Sequence, residues 1–153
     1  MSIRIAIAGI AGRMGQALVK SAGEDFAVAG GSERAGSPAL GATQGGWTVS
    51  DSAAKAAQSA DVWIDFTTPQ ASLEALELLK LTKINAPIIG TPGLSSQQEQ
   101  QVAEHAKRIA IVRDRNFSLG VNLMIGLVEQ VAARLGTDWD IEITEGHHRR
   151  KVD

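Results

Sequence analysis

Gly9-Ile10-Ala11-Gly12-Arg13-Met14-Gly15 stands directly behind the apolar run Ile3 to Ala8 and runs into a helical pattern from Met14 to Ala22. A short apolar run ended by glycine reads as a buried strand, and Met14, Leu18 and Ala22 share one helical face. Gly23 then supplies a C-terminal stop. The quoted stretch is therefore a tight strand-to-helix turn whose three glycines have separate tasks. Gly9 allows the sharp turn, Gly12 lets backbone N–H groups approach an anion, and Gly15 permits close packing of helix on strand. The spacing is GxxGxxG rather than GxGxxG, so taken alone it also fits a glycine-rich turn that holds no ligand.

The strand–helix alternation continues outward from this turn. Phe26 to Gly30, Val62 to Phe66, Pro87 to Gly90 and Ile109 to Val112 read as strands, with Trp47 to Val49 a shorter candidate. Helices are expected over Asp51 to Ser59, from the first-turn proline Pro69 to about Lys80, and from a Ser95/Gln98 capping box to Arg108. Gly31 to Gly46, rich in Gly, Ser and Ala, reads as a loop. Five to six strands before residue 115 with interleaved helices predict an α/β fold, a Rossmann-type doubly wound parallel sheet.

Beyond that point the pattern changes. Val121 to Leu135 is a strongly apolar helix closed by Gly136, and Trp139 to Glu145 alternates as a half-buried strand would. A lone strand cannot satisfy its own backbone, so this one needs neighbours from another subunit or a following domain. The expected boundary lies near residue 120, dividing the chain into 1–120 and 121–153.

Composition narrows the function classes. Fifteen Lys and Arg against 17 Asp and Glu leave a net charge of −2 over 153 residues, so no global field attracts nucleic acid. Aromatics are 4% with no Tyr, which argues against a base-stacking surface. The absence of cysteine excludes disulfides, thiolate metal sites and Cys nucleophiles. No apolar run approaches the ~20 residues a bilayer span needs, and Met1-Ser2-Ile3-Arg4 leads straight into a strand pattern. A cytoplasmic protein with no membrane or nucleic-acid partner is expected.

Glu33 follows the second strand, 18 residues beyond Gly15, where dinucleotide-binding domains place an acid on the adenosine ribose. Arg34 beside it could hold the 2′-phosphate of NADP, so the pair suggests that NADH and NADPH are both accepted. Alone, Glu33-Arg34 also fits a solvated ion pair; with the glycine turn it favours dinucleotide binding. Three more strand ends carry small or polar residues: Phe66-Thr67-Thr68-Pro69, Gly90-Thr91-Pro92-Gly93 and Asp114-Arg115-Asn116-Phe117-Ser118. Each alone is an ordinary turn. Their recurrence at one sheet edge outlines a cleft for a nicotinamide and its ribose.

Glu145-Gly146-His147-His148-Arg149-Arg150-Lys151 sets two of the three histidines beside three cations. Histidine can donate a proton near neutrality, and the cations can hold a carboxylate-bearing substrate. A solvated tail is the competing reading. No cysteine, HxH or HxxxH spacing supports a metal site, and five residues without aromatic partners give little support for nucleic acid. His105, in a polar helix, reads as surface.

Together these residues resemble one family, 4-hydroxy-tetrahydrodipicolinate reductase (dihydrodipicolinate reductase). The resemblance rests on Gly9 to Gly15, on Asn116-Phe117-Ser118-Leu119-Gly120-Val121-Asn122, and on Glu145 to Asp153, which looks like the family's E-x-H-H-x-x-K-x-D string. It implies reduction by NADH or NADPH of a cyclic imine dicarboxylate to tetrahydrodipicolinate, in diaminopimelate and lysine biosynthesis. By position, Gly9, Ile10, Ala11, Gly12, Arg13 and Met14 would hold the pyrophosphate, Glu33 the ribose and Arg34 a 2′-phosphate. Gly90, Thr91 and Pro92, with Asp114, Arg115, Asn116 and Phe117, would line the nicotinamide side. His147 would donate the proton, His148 contact substrate, and Lys151 act as a second donor or carboxylate partner.

Pro92 departs from the family's usual Gly-Thr-Thr-Gly and lacks both an N–H and a hydroxyl. Asp114-Arg115 is more charged than the small residues usual there. The family normally continues from this Asp into Ala-Pro-Ser-Gly-Thr and a second sheet that builds a homotetramer. The chain is accordingly expected to stop early in a substrate-binding domain, and a catalytically inactive dinucleotide-binding fragment is the alternative reading.

Overall fold

The computed structural model describes residues 2–84, 86–144 and 146. Contacts divide the chain into two units, Met1–Asp114 and Arg115–Asp153.

In the first unit, β1 (Ile3–Ala8), α1 (Arg13–Ser21) and β2 (Phe26–Ser32) form the opening βαβ element. A hairpin of β3 (Thr43–Gln44) and β4 (Trp47–Thr48) follows, then α2 (Ala53–Ala56), β5 (Val62–Asp65) and α3 (Pro69–Leu79). The unit closes with β6 (Pro87–Ile89), α4 (Ser96–Ala106) and β7 (Val112–Arg113). Five strands form one sheet in the order β2-β1-β5-β6-β7, and every pairing in it is parallel. This is the expected doubly wound α/β sheet. The chain leaves β1 toward β2 on one side and later crosses to β5 on the other, so a crevice opens beyond the carboxyl ends of β1 and β5.

The two-residue period of β1 feeds both faces. Ala6 and Ala8 join Trp63, Ala53, Ala56, Ala75 and Leu79 in one buried cluster, so α2 and α3 cover that face. Ile5 and Ile7 join Ile10 and Val49, with Leu18 and Val19 of α1 packed on them, on the other. Small alanines on the first face let the helices approach closely. Ser52, Thr68 and Ser95 cap α2, α3 and α4, and the Ser95/Gln98 capping box forms as the sequence predicts. At the opposite end of the sheet Arg4 Nε and Nη2 grip both oxygens of Asp61 at 3.1 and 2.6 Å. These hydrogen bonds hold the Asp61 carboxyl down at about 2.

Several expectations are corrected. The Gly31 to Gly46 segment is not wholly loop: Thr43–Gln44 pairs antiparallel with Trp47–Thr48 in a separate hairpin. The last strand of the sheet is Val112–Arg113, which overlaps Ile109 to Val112 only at Val112, because only Val112 and Arg113 pair with β6, opposite Ile88 and Ile89. His105 is not on the surface. It is buried, with Nε2 3.1 Å from Glu77 Oε1, and Lys80 and His105 together hold the Glu77 carboxyl below its usual range.

In the second unit, α5 (Leu119–Leu135) begins on Ser118 and passes at Gly136 into a short 3-10 turn, Gly136–Asp138. Its apolar side chains are largely exposed. Over Leu119–Asp138 this helix is long and apolar enough to cross a membrane, by length and composition alone. This corrects the expectation that no apolar run approaches a bilayer span: residues such as Gly120, Asn122 and Glu129 break the run in sequence but leave the helix apolar on average. Residues 139–144 form no strand, although their alternation predicts one. Among the described residues no neighbouring strand pairs with them, and alternation without a partner leaves the backbone unladdered.

Candidate functional site

Among the described residues, four of the five α-helices start on a hydroxyl side chain that accepts from their own backbone: Ser52, Thr68, Ser95 and Ser118. Helix α1 does not. Its N-cap is Gly12, extended at φ −71 and ψ 171, with no side-chain hydrogen bond capping the first turn. The unpaired N–H groups of a helix start and the positive end of its dipole form an anion site when nothing caps them. The cleft in front has a volume of about 730 Å³ and is lined by the turn residues from Gly9 to Gly15 other than Ile10, with Glu33, Arg34, Ser37, Phe66 and Thr67.

Local bonds shape this turn. Gly9 adopts φ +60, and Gly12 N donates to Gly9 O at 2.9 Å. Ile10 N donates to Ser32 O at 3.1 Å, tying the turn to the end of β2, and Ile10 itself is buried. A Cβ on Gly15 would lie 2.4 Å from Gly9 O and 2.6 Å from Ile10 Cα, so α1 packs directly on the turn only because residue 15 has none.

Glu33 closes one side. Its N–H donates to Ser50 O at 2.9 Å, and its Oε1 accepts from Ala11 N at 2.8 Å. The acid is thus bonded to the glycine turn itself. A carboxylate offers about four acceptor positions, so this bond leaves capacity for a diol. Arg34 is exposed on the same rim. A second cavity of about 480 Å³ shares Ala8, Gly9, Glu33, Arg34 and Thr67 with the first and extends past Asp65 toward Ala53 and Leu78. The crevice at the β1/β5 switch point is therefore continuous from the turn to the α2–α3 side. A third cavity, about 580 Å³ beside the β3–β4 hairpin, contains none of the sequence-predicted residues.

The next strand ends are joined by a buried polar network absent from the sequence reading. Asp65, 1% exposed, accepts at Oδ1 from Thr67 N (2.9 Å), Thr67 Oγ1 (2.6 Å) and Thr91 Oγ1 (3.3 Å). Thr91 Oγ1 lies 2.7 Å from Ser72 Oγ. Thr91 is 0% exposed, so its side chain faces this network, whereas Pro92 is exposed. The signal for Asp65 is an acid at the end of an otherwise apolar strand, Val62-Trp63-Ile64-Asp65. Asp114, also exposed, follows β7, and its N–H points to Ile89 O at 3.4 Å.

The remaining sequence-predicted residues belong to the second unit. Arg115 and Phe117 are exposed, and Asn116 Oδ1 accepts from Ser118 N at 2.8 Å. Asn122 Nδ2 donates to Asn116 O and Ser118 O, closing the start of α5. His147, His148 and Lys151 lie outside the described residues. No cluster of metal-ligating side chains occurs among the described residues.

Comparison with known proteins matches residues 3–117 to the family described as Dihydrodipicolinate reductase, N-terminus, and residues 120–153 to Dihydrodipicolinate reductase, C-terminus. A 4-hydroxy-tetrahydrodipicolinate reductase of Zymomonas mobilis subsp. mobilis is 42% identical over 153 residues, covering 99% of this chain and 57% of that protein. Its counterpart from Geotalea uraniireducens is 40% identical over 161 residues, covering 99% of this chain and 60% of that protein. The chain thus spans under two thirds of the length of these relatives. Among solved structures, a dipicolinate-bound dihydrodipicolinate reductase from Paenisporosarcina sp. TG-14 superposes with a TM-score of 0.73 at 26% identity. That match covers 87% of this chain and 54% of the other.

Proposed function

The chain belongs to the dihydrodipicolinate reductase family, and on that premise we propose that it is the NADH- or NADPH-binding part of a 4-hydroxy-tetrahydrodipicolinate reductase. The observation that carries the reading is the uncapped start of α1, which meets Glu33 and Arg34 in one cleft. A pyrophosphate fits there because Gly12 adds no side chain between the anion and the helix amides. Gly9, Ile10, Ala11, Gly12, Arg13 and Met14 hold it through backbone groups. Glu33, fixed by Ala11 N, receives the ribose hydroxyls, and Arg34 binds the 2′-phosphate when the cofactor is NADPH.

Gly90, Pro92 and Asp114 serve the nicotinamide side, with Arg115, Asn116 and Phe117 carried over by family position. Thr91 acts from behind, through its buried hydroxyl. The 4-hydroxy substrate would first lose water to give the conjugated imine, and the reduced nicotinamide, when bound, would supply a hydride to it. His147 then protonates the electron-rich enamine that results, while His148 and Lys151 hold the substrate carboxylates. Residues 1–120 are the dinucleotide-binding domain in this reading, and 121–153 begin the substrate domain. The setting is the cytoplasmic diaminopimelate–lysine route.

Cofactor binding and substrate reduction are separate claims here, because the chain spans 57–60% of the length of these relatives. Adding freshly generated 4-hydroxy-tetrahydrodipicolinate to the chain with NADPH separates the two. Substrate-dependent loss of absorbance from the reduced cofactor supports the reductase. Binding of NADPH with no such loss supports the cofactor site but not the reduction by this chain, and absence of both overturns the cofactor assignment.

A further inference from the structure

The ends of β5 and β6 are locked to each other more firmly than strand pairing requires. Gly90 N donates to Asp65 O at 2.8 Å, and a Cβ on Gly90 would lie 2.0 Å from the Phe66 ring, so the two strand ends are in direct contact. The Asp65 carboxylate adds side-chain ties in two directions. A carboxylate only accepts, so Thr67 and Thr91 donate to it. Thr91, having donated its single proton to Asp65, must accept from Ser72. The order of donors is therefore fixed: Ser72 to Thr91 to Asp65, with Thr67 arriving from the other side.

One arm ends on a wall of the cleft, the other on the turn that the cofactor reading assigns to the nicotinamide. Thr67 Cγ2 stands 3.0 Å from where a Cβ of Gly9 would be, so the Thr67 arm buttresses the glycine turn. The Thr91 arm holds the Gly90–Pro92 turn. We propose that Asp65 is a positioning residue that sets the glycine turn and the Gly90–Pro92 turn at a fixed separation, and that Thr91 is the arm controlling the nicotinamide side alone. The inference rests on the cofactor reading above. It assigns affinity to residues that touch no ligand: Thr91 and Asp65 are both buried, at 0% and 1% exposure.

The test titrates the whole chain and its Thr91→Val, Thr91→Ser and Asp65→Asn variants with NADPH and with adenosine 2′,5′-bisphosphate by calorimetry. Each variant is first checked for cooperative melting. Thr91→Val keeps the shape but removes the hydroxyl, and leaving buried partners unsatisfied is expected to weaken NADPH binding about tenfold. The bisphosphate, which reaches only the turn, Glu33 and Arg34, binds Thr91→Val as it binds the parent. Thr91→Ser restores most of the NADPH affinity, which a loss of packing alone would not permit. Asp65→Asn disturbs both arms and weakens both ligands.

A folded Thr91→Val variant that binds NADPH like the parent overturns the proposal, as does equal weakening of both ligands in it. Should Thr91→Val not fold, Ser72→Ala removes only the outermost donor. That variant is expected to lose NADPH affinity selectively, and unchanged affinity in it overturns the proposal. Failure of the parent chain to bind either ligand instead refutes the cofactor reading from which the inference starts.

Discussion

Replacing Gly12 and Gly15 in turn by alanine separates what the glycine turn does for folding from what it does for binding. At Gly15 the new Cβ meets Gly9 O at 2.4 Å and Ile10 Cα at 2.6 Å, both backbone atoms that cannot swing away. Helix α1 must move off β1, and overpacking of this kind costs roughly 1–3 kcal/mol. At Gly12 the new Cβ meets only Gly9 O, at 3.1 Å, against 3.4 Å for ordinary contact, and φ −71 with ψ 171 suits alanine. The slight crowding and the poorer N-cap are offset by the stiffer unfolded chain, a gain of about 0.4–1 kcal/mol. Gly12→Ala should therefore melt close to the parent, and Gly15→Ala several degrees lower.

Binding should rank differently. The Gly12 methyl stands between the helix amides and the pyrophosphate, so NADPH affinity should fall at least about tenfold, or ~1.4 kcal/mol. Circular-dichroism melts and calorimetric titration of the two variants provide both readouts. The reasoning is refuted if Gly12→Ala binds NADPH like the parent, or if it loses as much stability as Gly15→Ala.

Arg34→Ala should weaken NADPH much more than NADH, since only the former carries a 2′-phosphate, and a parallel loss would remove that role from Arg34. Asp61 titrates near 2 in the folded chain, below its ordinary value, so the Arg4–Asp61 bonds stabilise the fold above about pH 4. That stabilisation disappears as pH falls toward 2; urea melts across this range should show the parent and Asp61→Asn converging at the acid end. His147→Ala should depress substrate-dependent turnover while leaving NADPH affinity intact, as measured by rate and titration on the same preparation.

Much of the sheet is legible in the residues because each element follows a local rule. Ile3–Ala8 is a continuous apolar run ended by a glycine that then takes positive φ, and Gly23 does so just beyond α1. Pro69 and the Ser95/Gln98 pair mark helix starts through chemistry confined to four residues. The misreadings share a different character. The β3–β4 hairpin is hidden in a Gly-rich segment because its pairing spans only two residues on each side. Trp139 to Ile143 has the alternation of a strand, but a ladder needs a second strand that pattern alone cannot supply.

The cleft divides along the same line. Its glycines and Glu33 are recognisable by spacing, whereas the Glu33–Ala11 bond depends on residues 22 apart being brought together by β2 and the turn. Asp65, Ser72 and Thr91 meet across 26 residues of chain. Each taken singly is an unremarkable strand end or helix residue. Their meaning arises only when parallel pairing sets the ends of β5 and β6 side by side. His105 shows the converse: flanking polar residues suggest exposure, but its position on α4 turns it toward α3 and Glu77.

The most direct test of the account is to follow backbone amide resonances of the chain while NADPH is added. The account predicts saturable shifts at Ala11, Gly12, Arg13 and Met14, extending to Glu33 and Arg34, with small changes at the β3–β4 hairpin. Shifts centred on the cavity of Leu40, Trp47 and Ser59, or none at the glycine turn, would contradict it.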